Sequence, residues 1–163
     1  MWSFRRKDKS QREIIKKSFS NYLDENLIDS ILQNHGLIDL RLKYINFILI
    51  LVRDDSRQSQ NIREALNIIQ EHHGMIESIT STLVTVYFGV PLEQPNSKEL
   101  RIGLVKELSE RMGPDLAFIH GACECPVGNV GNENRKAYTA LIPGYKSKLS
   151  KLSTMEFGQI LEI

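Results

Sequence analysis

The 163-residue chain is short of cysteine, tryptophan and proline, with two, one and five of them, and it lacks any long apolar run. Each shortage excludes a class of protein. A disulfide-stapled fold needs more thiols than Cys123 and Cys125, which stand one residue apart on an extended segment. Alternation puts both on one strand face, poor geometry for a bridge between near neighbours, so they read as two free thiols. Further ligands for a metal beside them are not evident; His120 falls on the opposite face of a regular strand from Cys123. The most apolar run, residues 45–52, is far below the ~18 residues that a spanning helix needs and reads as a buried strand. The basic start is not followed by an apolar core and a small-residue cleavage site, so a signal peptide is not expected and the expected compartment is cytoplasmic.

Charge of one sign is missing too. Lys and Arg total 21 against 20 Asp and Glu, a formal net charge of +1, so no global field draws in nucleic acid and no nucleic-acid partner is expected. The exception is local: Arg5, Arg6, Lys7, Lys9, Arg12, Lys16 and Lys17 face only Asp8 and Glu13, with Trp2 and Phe4 ahead of them. This segment reads either as a solvated terminus or as a peripheral anchor at an anionic membrane surface.

What is present is an ordinary globular balance, 41% hydrophobic and 25% charged, enough for one domain with a real core. Ile14, Ile15, Phe19 and Tyr22 share a helical face. Asp24 can cap a second helix carrying Leu27, Ile28, Ile31 and Leu32, which Gly36 ends. Residues 1–40 therefore form a basic segment and helical lead-in, and 41–163 the main domain. Residues 43–52 read as a central strand covered on both faces, followed by Asp54 and Asp55 in a polar turn. A helix over 61–73 carries Ile62, Ala65, Leu66, Ile68 and Ile69, with His72 and His73 at its C-terminus and Gly74 as its stop. Residues 75–80 and 82–88 alternate as two strands joined through Ser81. Ser97 opens a helix bearing Leu100, Leu104, Val105 and Leu108, which Gly113 and Pro114 terminate, and 115–125 is extended again. Strand, helix, strand, strand, helix, strand is the ferredoxin-like βαββαβ order of an α+β fold, with both helices on one face of an antiparallel sheet. A hairpin, a short helix and a closing strand remain for 126–163.

Three strings set in this order resemble the class III nucleotidyl cyclase homology domain. FSNYLDENLIDSIL is similar to the family's helical lead-in, TLVTVYFG to its hairpin strand ending in F-G, and VGNVGNENRKAYT to its G-N-x-G-x-x-x-R-x-x-Y-T. The resemblance implies that Gly128 and Gly131 serve backbone turns in a long hairpin after the fourth core strand. It implies also that Arg135, otherwise a surface charge, belongs to a dimer-facing arm, with Tyr138 and Thr139 completing the motif.

The family joins a nucleoside triphosphate's ribose 3′-hydroxyl to its own α-phosphate, using two divalent cations, Mg or Mn, held by two carboxylates. By resemblance Asp54, with Asp55 beside it, falls on the first carboxylate position. The second, counted back from Phe88 and Gly89, falls on Thr82, preceded by Ser81 where glycine is expected. The base-reading Lys position is Ser78. The N-x-x-x-R pair contributed by a partner chain falls, aligned through Leu152, on Ser147 and Lys151. The segment LIPGYKSKLSKLST contains neither Asn nor Arg, so no shift of register restores the pair.

Three readings follow. The first is a catalytically degenerate cyclase-like domain acting as a regulatory or dimerisation module in signalling, as a homodimer or paired with another cyclase-like domain. The second is a divergent cyclase, or one half of a heterodimeric one, that makes cyclic nucleotide with Mg or Mn. The third is a ferredoxin-like module binding protein or a small ligand, since one fold hosts many functions.

Overall fold

The computed structural model describes residues 40–131 and 136–163. The basic N-terminal segment, the helical lead-in and Arg135 lie outside the described residues. Elements follow in the order β1 Arg41–Val52, α1 Gln58–Glu71, β2 Met75–Ile79, β3 Leu83–Phe88, α2 Ser97–Met112, β4 Leu116–Gly131, β5 Lys136–Ala140, α3 Tyr145–Leu152 and β6 Ile160–Glu162. The sheet runs β2-β3-β1-β4-β5, with β6 added in parallel to β4. Neighbouring strands on the main path are antiparallel. The expected βαββαβ core of an α+β fold is the one observed.

β1 is the middle of the sheet, paired with β4 from Arg41↔Val127 to Val52↔Leu116 and with β3 from Asn46↔Phe88 to Leu51↔Leu83. Its continuous apolar run follows from that position, because both faces of residues 45–50 are buried. On one face Ile48, Ile50 and Val52 pack with Val84, Val86, Phe88, Leu116 and Phe118 beneath α1 and α2. Ala65, Ile68 and Ile69 of α1 and Leu104, Val105, Leu108 and Met112 of α2 close that layer at helical spacing. The opposite face buries Phe47, Leu49, Tyr87 and Ile119. On that side α3 contacts β1 and β4, and the Thr85 and Tyr145 hydroxyls lie 3.2 Å apart.

Element ends differ from the sequence reading by a few residues, as at α1, which runs 58–71 where 61–73 is expected, and three of the differences have a plain physical reason. Gly74 was expected to stop α1, but the left-handed residue is His73, at φ 57°, while the Gly74 amide bonds back to the Ile69 carbonyl. Glycine is required at 74 by packing: a Cβ there would meet Val86 Cγ1 at 2.7 Å. β4 does not end near Cys125 but continues to Gly131, because β5 pairs with its far half. Gly128 and Gly131 accordingly occupy ladder positions opposite Thr139 and Lys136 and are strand residues, not the turn residues the resemblance implied. The β2–β3 connection is broader than Ser81 alone, spanning residues 80–82, and is clamped by Thr80, whose Oγ1 accepts from the Leu83 amide at 3.0 Å.

Candidate functional site

At one end of the sheet the Val52 amide donates to the Thr82 carbonyl at 2.7 Å. This bond extends the β1–β3 register past Leu51↔Leu83 and places Thr82 beside the strand end that Asp54 and Asp55 follow. The residue aligned by counting back from Phe88 and Gly89 is thus a true spatial neighbour of the strand end. Asp54 and Asp55 are exposed. Asp55 has a local task, since its Oδ1 accepts from the Arg57 amide at 2.7 Å and shapes the entry to α1. Cations crowd the same corner. Arg57 pairs with Asp115 at 2.9 Å, and Arg53 donates to the Pro114 carbonyl at 2.7 Å while its guanidinium lies 4.3 Å over the Phe157 ring. Among the described residues no group of three or more His, Cys, Asp or Glu converges as a metal cluster would.

Ser78 pairs with Thr85 across β2 and β3, and so belongs to the sheet face that carries α3. There Leu152 is buried, 1% exposed, while Ser147 and Lys151 are exposed and one helical turn apart. The single buried position anchors the helix, and Ser147 and Lys151, the positions aligned by resemblance, face solvent beside it. Lys151 supplies a point charge where a guanidinium would offer a planar fork.

Thr139 of the hairpin motif has a structural partner. Its Oγ1 donates to Glu77 on β2 at 3.1 Å. Burial, followed by the Glu77 carboxylate, raises the Tyr87 phenol, and burial raises Tyr138. Both phenols therefore stay protonated at physiological pH. Glu77, Tyr87 and the Thr85–Tyr145 contact were not singled out from sequence; the available signal was that Glu77 lies on an alternating strand.

Cys123 and Cys125 are free and side by side. Burial pushes the Cys125 thiol up to about 12 and also raises Cys123, which makes both poor nucleophiles. His72, at the end of α1, bonds Glu107 of α2 through Nε2 at 2.7 Å. His120 is buried on the helix-bearing face, where its Nδ1 accepts from Arg101 at 3.0 Å; burial, then the Arg101 charge, lowers its pKa.

No protein-family model matches the sequence, and no curated protein matches it. Solved structures do. The guanylyl cyclase Cya2 aligns at 16% identity over 77% of this chain and 77% of its own, with a TM-score of 0.59. The adenylyl cyclase CyaB from P. aeruginosa aligns at 18% identity over 77% of this chain and 79% of its own, with a TM-score of 0.58. A bacterial light-regulated adenylyl cyclase aligns at 12% identity over 93% of this chain and 51% of its own, with a TM-score of 0.61. Element order, sheet topology and these alignments agree that the chain has the fold of the class III nucleotidyl cyclase homology domain.

Proposed function

We propose that this domain is a catalytically degenerate relative of the nucleotidyl cyclases that acts as a regulatory or dimerisation module in signalling. The observation that carries the reading is the bond from the Val52 amide to the Thr82 carbonyl. It supports an alignment in which a hydroxyl stands where the second metal carboxylate belongs. Two divalent cations need converging carboxylates. Here Thr82 brings no charge, Asp55 is engaged with the Arg57 amide, and Arg57 lies alongside. This donor set does not fit a two-cation centre.

The aligned pair that would stabilise charge developing on the phosphate is altered as well, with Ser147 and Lys151 at the Asn and Arg positions, and Ser78 stands at the position of the base-reading Lys. Loss of one such donor costs on the order of 3 kcal/mol, a hundredfold to a thousandfold in rate, and groups acting together fail together. The purified protein incubated with ATP or GTP and magnesium or manganese is expected to form no cyclic nucleotide. Formation that disappears in Asp54→Ala would overturn the reading.

The retained Asp54 favours a second reading, in which this chain is the noncatalytic half of a heterodimeric cyclase. Mixing it with an intact cyclase domain tests that: a rise in turnover that Asp54→Ala abolishes supports the heterodimer, and no change removes it.

A further inference from the structure

Toward the opposite end of β1 from Asp54, a cleft of about 260 Å³ opens between the sheet, the first turns of α2 and the closing strand, lined by Tyr44, Asn46, Lys98, Arg101, Glu162 and their neighbours. That volume accommodates several waters or one small organic acid. Two of its side chains are almost wholly buried yet incompletely bonded. Asn46, 2% exposed, donates through Nδ2 to Ser97 Oγ at 3.0 Å, while its Oδ1 has no partner. Arg101, 3% exposed, gives Nη1 to His120 at 3.0 Å and Nη2 to Glu162 at 2.8 Å, while its Nε has none. Both atoms belong to side chains that line the cleft, and a buried polar atom left without a partner is destabilising, so a ligand that reaches both on displacing a neighbour would be favoured.

The kind of ligand follows from the two orphans. Nε and Nη2 form one edge of the guanidinium, the edge that takes a carboxylate through two parallel bonds. Glu162 fills only the Nη2 half, through a single oxygen, and its side chain is 60% exposed. The resident carboxylate is therefore half-engaged and displaceable. The Asn46 oxygen needs a donor, which a bare carboxylate lacks and which a hydroxyl or amino group on the adjacent carbon supplies. Lys98 adds a second cation at the rim. We propose that this cleft binds a small carboxylate bearing a hydrogen-bond donor on the adjacent carbon, a 2-hydroxy acid or an α-amino acid, which displaces Glu162 from Arg101. Glu162 belongs to β6, a three-residue strand held on β4 at Phe118–His120, so occupancy is read out as loosening of the closing strand.

The test is an NMR titration of the full chain with sodium glycolate, glycine and sodium acetate at constant ionic strength. Glycolate or glycine is expected to move the Asn46 side-chain amide and the Arg101 Nε–H saturably and to speed exchange of the Ile163 amide, which bonds the His120 carbonyl at 3.0 Å. Whichever saturates identifies the hydroxy-acid or amino-acid form. Acetate is expected to bind about tenfold more weakly, equivalent to ~1.4 kcal/mol, and Asn46→Ala to erase that preference. Because Asn46 and Arg101 are buried, two exposed positions provide independent variants: Glu162→Gln is expected to tighten binding severalfold and Lys98→Ala to weaken it. Shifts that are the same for acetate, glycolate and chloride, or that do not saturate at tens of millimolar, would overturn the proposal and leave water as the partner of both orphan atoms.

Discussion

Two residues show how narrow the tolerances are at individual positions. Gly121 lies where the closing strand crosses β4, and a Cβ there would collide with the Ile163 backbone carbonyl. Backbone cannot swing aside as a side-chain tip can. Gly121→Ala is therefore expected to cost about 1–3 kcal/mol in chemical denaturation, with protection lost first at Ile163; a change below about 0.5 kcal/mol, the range of neutral surface substitutions, would contradict this account. His120 sets a pH dependence. Its pKa is lowered in the folded chain, so the unfolded chain binds the proton more readily. The associated stability is present above the unfolded value, about 6.5, and is lost as pH falls through the lowered folded value. Unfolding midpoints measured from pH 7.5 down to pH 5 should decline, and the decline should be shallower in His120→Gln.

At the scale of elements, α3 joins the sheet through few contacts: one buried leucine, Leu152, and the hydroxyl pair of Thr85 and Tyr145. Leu152→Ala is expected to destabilise by about 2–5 kcal/mol through the cavity it leaves. The neighbouring exposed Lys151→Ala should stay within about 0.5 kcal/mol. Equal effects in thermal melts would mean that α3 is rotated from the placement described. The β4–β5 hairpin is tied differently. Its Thr139 reaches Glu77 of β2, 62 residues earlier, so hairpin and sheet edge are coupled by a polar contact.

For the whole molecule, the expected state is a dimer. The lead-in residues Phe19, Tyr22, Leu27, Ile28, Ile31 and Leu32 form an apolar pattern without an evident partner in the sequence, and the family resemblance implies head-to-tail pairing. Light scattering on the full chain at tens of micromolar is expected to give twice the 18.7 kDa monomer mass. A monomer at that concentration, with residues 1–40 intact, would count against a dimerisation role. No described helix is long and apolar enough to cross a membrane.

The sequence by itself determined the elements and their order, because hydrophobic period is a local property of the chain. β1 reads as a doubly covered strand from residues 45–52 alone, and the apolar spacings of α1 and α2 name the residues that the core buries. The string around Tyr138 and Thr139 and the hydroxyl at the aligned position Thr82, on which the proposed function rests, are likewise local features of the sequence. Tertiary structure alone decided which distant residues meet. Arg101 reads as one more charge on a helix between Leu100 and Leu104, yet sheet order and the return of β6 bury it against His120 and Glu162, 19 and 61 residues away. The same holds for Asn46, whose neighbours in sequence are those of an apolar strand and whose partner, Ser97, comes from α2. Period is written into consecutive residues, whereas a cleft between a strand, a helix and a closing strand exists only once long-range pairing has brought their separate side chains together.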